Sequence, residues 1–254
     1  MGLGRWVCAL LLGATTVRAA ADVTIAAAAD LKFALEEVLV GYQQQHAEPV
    51  RATYGSSGNF YVQLTQGAPF AIFMAADETL IQRLAAQGLT RDDGDLYALG
   101  RIVLFAPNAA PFSADPEFTD LRRALAAGHI GKFAIANPDH APYGRAAREA
   151  LTAAGLWTAL EPHLVRGDNV AQTAQFAVSG AAQGGIFALS LALAPVFANA
   201  GHYALIPAAL HQPLRQRMVL MHAADSAATA VYQYLKSPAA RAVLRRYGFT
   251  VPDE

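Results

Sequence analysis

The chain has 254 residues, with 19 Lys+Arg against 20 Asp+Glu and a formal net charge of −1. Neither the total nor any local run supplies the cationic excess that displaces counterions from phosphates, which excludes a nucleic-acid binder. Hydrophobic side chains make up 54% and charged ones 15%, so the composition excludes disorder and predicts one or two well-cored units at roughly 100–200 residues per domain.

Residues 1–21 read as a cleavable export signal. Met1 to Arg5 carries one positive charge, Trp6 to Leu12 is a short apolar run, and Ala19-Ala20-Ala21 supplies small residues before Asp22. The run is too short to span a bilayer, and the longest later apolar stretch, Ile186 to Ala200, is broken by Ser190, Pro195 and Asn199. Cleavage after Ala21 removes two of the 19 basic residues, Arg5 and Arg18, and none of the 20 acidic ones, so the mature charge is −3. It also removes Cys8, the one cysteine. Cys8 lies inside the apolar run without the residues that precede a lipidated cysteine, and the mature chain contains no disulfide. A periplasm is the simplest compartment, and a chain of this size builds a core without cross-links.

Val23 to Ala29 predicts a buried strand, followed by an amphipathic helix through Leu39 with Asp30 at its N-cap. Val50 to Tyr54 reads as a strand, Gly55-Ser56-Ser57-Gly58 as a turn, and Asn59 to Gln66 as a helix stopped by Gly67. Phe70 to Ala75 is a further strand and Glu78 to Gln87 a further helix. After a polar stretch from Thr90 to Asp95, Arg101 to Ala106 forms a strand ended by Pro107. Asp120 to Ala127 is a helix, Lys132 to Ala136 a strand, and Pro142-Tyr143-Gly144 opens a helix through Ala154. Leu164 to Arg166 is a strand, Val170 to Ser179 a helix, and Gly185 to Leu189 a strand leading to a short helix. Strands at Tyr203 to Ile206 and Arg217 to His222 precede helices at Ser226 to Leu235 and Pro238 to Tyr247. This alternation predicts an α/β fold with parallel-rich sheets flanked by helices. Two lobes follow, 22–100 plus 207–254 and 101–206, with a ligand cleft between them.

Glycine and hydroxyl residues gather where strands hand over to helices, and such turns present free N–H groups at a positive dipole end, which suits anions. Gly55-Ser56-Ser57-Gly58-Asn59 is the clearest, although a serine N-cap explains it equally. Asp30 and Asp77 are N-caps by type, Tyr143 offers a backbone N–H and a phenol, and Val170 follows Gly167-Asp168-Asn169 at a helix start. The seven histidines are scattered, with none paired at metal-binding spacing. Gly-x-Ser-x-Gly, Walker and dinucleotide glycine patterns are absent from the sequence. Binding is therefore expected over turnover, with no catalytic residue and no cofactor.

Six segments together resemble one family. They are Ala26-Ala27-Ala28-Ala29-Asp30-Leu31, Gly55-Ser56-Ser57-Gly58-Asn59, the stretch from Gly67-Ala68-Pro69 to Ala75-Ala76-Asp77, Asn137 to Gly144, Asp168-Asn169-Val170 and Arg246-Tyr247-Gly248-Phe249. The pattern is similar to that of the periplasmic molybdate-binding proteins of ABC importers and covers essentially the whole mature chain. The resemblance implies a monomeric, two-lobed protein that closes on molybdate or tungstate and delivers it to a membrane permease. It places the anion on the Ala29-Asp30 turn, Ser57, and the backbone N–H groups of Tyr143 and Val170. Asp30, Ser57, Tyr143 and Val170 would then hold the oxygens of the oxyanion and would not coordinate the metal.

A fully deprotonated oxyanion only accepts hydrogen bonds, so N–H and O–H donors suit it without Lys or Arg. Two positions depart from the family. Ala188 stands where some members place an anion-contacting tyrosine, a role the Tyr143 hydroxyl is free in principle to take. Asp30 stands where many members have Ser or Thr. Either its carboxylate turns away to cap the helix, or it takes a proton from an anion that still carries one, such as hydrogen phosphate. A carrier of another anion is thus an alternative. A secreted hydrolase using Asp30 or Asp77 with His140 is a further one.

Overall fold

The computed structural model describes residues 22–252, so the expected signal segment and Cys8 lie outside the described residues. Strand β1 (Val23–Ala28) leads through a 3-10 turn at Ala29–Leu31 into α1 (Lys32–Gln43). β2 (Val50–Gly55) leads into α2 (Ser57–Thr65), and β3 (Ile72–Ala75) into α3 (Glu78–Ala86). Two strands, β4 (Asp95–Gly100) and β5 (Ile102–Pro107), then run back to back. They are followed by α4 (Thr119–Ala126), β6 (Phe133–Ala136), α5 (Pro142–Ala153), α6 (Trp157–Leu160), β7 (Leu164–Gly167), α7 (Val170–Val178), β8 (Gly185–Ala188) and α8 (Leu189–Ala192). β9 (Gly201–Leu205), β10 (Leu214–Leu220), α9 (Ser226–Leu235) and α10 (Pro238–Arg246) complete the chain.

The strands form two five-stranded sheets, ordered β2-β1-β3-β10-β4 and β7-β6-β8-β5-β9. In the first, β1 runs parallel to β2 and β3, while β10 is antiparallel to β3 and β4. The second repeats the scheme, with β6 parallel to β7 and β8 and β5 antiparallel to β8 and β9. The sheets are therefore mixed. Their parallel parts are β-α-β units, whereas β4, β5, β9 and β10 belong to the chain segments that cross between sheets and enter against that direction.

Helices cover both faces of the first sheet. Ile25, Ala27 and Met74 pack with Leu35, Tyr42, Val231 and Leu244 of α1, α9 and α10 on one side, and Ala26, Phe73 and Val219 pack with Phe60 and Ile81 of α2 and α3 on the other. Alternate side chains of one strand thus enter two different cores, which is why β1 is apolar from Ile25 to Ala28. The second sheet has its own core, and Ala28, Ala29, Ala76 and Leu214 of the first sheet's segments join that cluster.

Several expectations change in detail. β4 was hidden in the sequence because only Arg101 separates it from β5 in the run from Asp95 to Pro107. The helix expected to start at Asn59 starts at Ser57, and the one expected at Asp30 starts at Lys32. Asp30 is no N-cap: it lies inside the 3-10 turn, makes no capping bond, and is 1% exposed.

Candidate ligand-binding site

The carboxyl ends of the parallel strands of both sheets point at one another. Their turns line a small, half-open recess. Ala29, Asp30, Ser57, Tyr143 and Val170 all line it, with Ala28, Gly55, Ser56, Ala76, Ala141 and Pro142. Crevices at the carboxyl ends of strands are the usual ligand positions in α/β folds, because helices begin there.

Three helices of nine or more residues start at the recess, with Ser57 first in α2, Tyr143 second in α5 and Val170 first in α7. Pro142 opens α5 where the missing N–H costs nothing, leaving Tyr143 to present the first amide of that helix. At α7 the Asn169 side chain accepts from the amides of Ala171 and Gln172, both at 3.0 Å, so the cap leaves the Val170 amide untaken. Ser57 is 1% exposed, and its hydroxyl oxygen accepts from the Ala76 amide at 3.0 Å. That bond fixes the oxygen and leaves the O–H proton to donate. No Lys or Arg among the described residues lines the recess. Among the described residues, no group of three or more His, Cys, Asp or Glu is placed to hold a metal ion.

Behind the recess is a buried polar network absent from the sequence reading. The Tyr143 hydroxyl donates to Asp30 Oδ2 at 2.8 Å, and Gln216 Nε2 donates to the same oxygen at 2.6 Å and to the Tyr143 hydroxyl at 2.9 Å. Tyr97 completes it by donating to Gln216 Oε1 at 2.7 Å. The Tyr143 hydroxyl is therefore committed to Asp30 and does not stand in for the hydroxyl missing at Ala188. Its backbone N–H is the group left for a ligand. Asp30 Oδ1 is buried without a hydrogen-bond partner. Burial pushes the Asp30 pKa from 3.8 up to about 6, partly opposed by the hydrogen bonds from Gln216 and Tyr143 and by the nearby backbone N–H groups of Asp30 and Leu31, which do not reach Oδ1 at hydrogen-bond geometry. Burial and the neighbouring Asp30 hold the Tyr143 and Tyr97 phenols well above their ordinary range.

Gln216 and Tyr97 were detectable in principle. Leu214, Gln216, Met218 and Leu220 are the alternate, buried positions of β10, so a glutamine among them is a polar group pointing into a core. Its partner Asp30 is 186 positions away, and only the pairing of β10 beside β3 brings them together.

Segments carried by the two sheets also meet at the rim. Ser56 donates its hydroxyl to the His140 carbonyl at 2.6 Å, and the Gly58 amide donates to the same oxygen at 3.0 Å. A side chain at Gly58 would collide with that carbonyl. The Ser190 hydroxyl donates to the Asp30 carbonyl at 2.7 Å, and Arg145 pairs with Asp77 at 2.6 Å. Asp77 also caps α3 by accepting from the Thr79 amide. His140 sits with Ser56 and, at 3.8 Å, Asp168, so the structure does not assemble the suggested grouping of His140 with Asp30 or Asp77.

The fold and the site define a two-lobed α/β solute-binding protein. The sequence profile described as bacterial extracellular solute-binding protein matches residues 23–250. The chain is 34% identical to the molybdate-binding protein ModA of Rhodobacter capsulatus over 249 residues, covering 97% of this chain and 95% of that one. It is also 34% identical to the Azotobacter vinelandii ModA over 252 residues, 97% of each chain. A solved structure, the Azotobacter vinelandii periplasmic molybdate-binding protein, superposes with a TM-score of 0.82 at 29% identity, over 91% of this chain and all of that one. The chain belongs to the bacterial extracellular solute-binding protein family. It is a binding protein and not an enzyme.

Proposed function

We propose that the chain captures a tetrahedral oxyanion, molybdate or tungstate, and delivers it to the permease of an ABC importer. Residues 1–21 act as the export signal, and the mature protein works in the periplasm as a monomer with lobes 22–100 plus 207–254 and 101–206. None of its described helices is long and apolar enough to cross a membrane. One observation carries the reading: a cation-free recess where helix-start amides and the Ser57 hydroxyl converge, in a chain whose relatives are molybdate-binding proteins. The anion sits on the Ala29-Asp30 turn, Ser57 Oγ, and the amides of Tyr143 and Val170. These groups bind its oxygens by hydrogen bonds.

Neutral donors are enough here because a dianion that cannot donate finds only acceptable partners, while a fixed number of donors in a small recess selects by size. A second reading has one specific support, the Asp30 carboxyl, which as a carboxylate would accept a proton from hydrogen phosphate. Elemental analysis of protein purified without refolding tests the first reading. Molybdenum or tungsten near one atom per chain is expected, and stoichiometric phosphorus without either metal would overturn it.

A further inference from the structure

Asp30 lines the recess in which a dianion is proposed to sit, with its carboxyl buried behind that recess, and this inference rests on that reading. Its two oxygens are not equivalent. Oδ2 already accepts from two donors, Tyr143 Oη and Gln216 Nε2, so it is poorly placed to carry a proton. Oδ1 is buried and has no partner. An unpartnered oxygen of a buried carboxylate is costly, and a proton on it converts an acceptor beside the recess into a donor.

We propose that Asp30 binds the oxyanion as a neutral carboxyl with its proton on Oδ1, so that each anion captured draws one proton from solvent onto the protein. The balance is simple. Before binding, the carboxylate holds no proton. After binding, Oδ1–H donates to an anion oxygen, Oδ2 keeps both of its donors, and no covalent bond to the anion forms.

The surroundings support this coupling. The titratable groups facing the carboxyl are Tyr143 from α5 and Tyr97 from β4, both held neutral by burial and by Asp30 itself. Of the other elements packed on the Asp30 turn, α7 and α8 carry no titratable side chain. Lys32 of α1 and Tyr54 of β2 line the open cleft on the outer side of Ala29, and Glu36 of α1 acts on Tyr54. Among the described residues, no cation therefore compensates a carboxylate at this position. The carboxyl already titrates near 6 without ligand, and a neighbouring dianion raises it further.

The test is calorimetric titration of the purified chain with molybdate at pH 7 and 8, in two buffers of different ionisation heat. Uptake of about one proton per anion is expected, and with it an affinity that falls close to tenfold per pH unit. Asp30→Asn supplies a fixed N–H in place of Oδ1–H, so in this variant both the proton uptake and the pH slope should vanish. Molybdate binding by the parent chain with no proton uptake and a flat pH profile would overturn this inference while leaving the binding reading intact. No molybdate heat at either pH would overturn the binding reading instead. The parent chain alone decides both outcomes if the variant does not fold.

Discussion

Asp30 is costly where it stands. Because burial lifts its pKa from 3.8 to about 6, the folded state binds its proton more tightly than the unfolded chain does. The stability it contributes is therefore full below about pH 4 and is lost as the pH rises through about 6, a loss of about 3 kcal/mol by neutral pH. Asp30→Asn keeps an acceptor for Tyr143 and Gln216 and removes the charge. Ligand-free, it should be more stable than the parent at pH 7, by up to that amount, and level with it at pH 4. Urea unfolding at the two pH values measures this, and a variant less stable at pH 7 would contradict the account. Ser57 is the opposite case, a small residue with one proton to offer. Ser57→Ala removes that donor and strands the Ala76 amide, which should weaken molybdate binding roughly 10- to 100-fold, following the 1.5–3 kcal/mol of a hydrogen bond to a charged group. Titration of the variant beside the parent checks it.

At the scale of the element, the site is a set of helix beginnings, and that is why so much of it was legible. Ser57, Tyr143 and Val170 fall at strand-to-helix turns marked by glycine, proline or a capping Asn, which are local signals. The 3-10 turn at Ala29–Leu31 was not, because an Asp directly after the apolar run reads as an ordinary helix N-cap and nothing local separates turn from helix. β4 was missed for a similar reason. Gln216 and Tyr97 come from β10 and β4, elements far from Asp30 in sequence, so their network depends on strand order that periodicity does not encode. Gly58 tests the element scale directly. Its amide meets the His140 carbonyl from the other lobe, and Gly58→Ala puts a methyl group in that contact. The variant should fold normally yet close poorly. Tenfold or weaker molybdate affinity with an unchanged urea midpoint in the absence of ligand is expected, and wild-type affinity would contradict the contact's role.

Across the whole molecule, two mixed sheets turn the positive ends of their helices toward one recess, and the lobes meet through Ser56, Gly58 and Asp77 on one side and His140 and Arg145 on the other. Near-neutrality of the chain is then compatible with the proposed anion site, in which partial charges on oriented amides would do the work of cations. Exposed charges contribute little to such a site, so raising NaCl from 50 to 500 mM should change molybdate affinity by less than about threefold, as screening acts weakly on buried donors. The most direct measurement is calorimetric titration of anion-free protein with molybdate, tungstate, sulfate and phosphate at one pH. A single tight site for molybdate or tungstate, with sulfate and phosphate far weaker, is the predicted result. Sub-micromolar phosphate binding with no molybdate heat would contradict it.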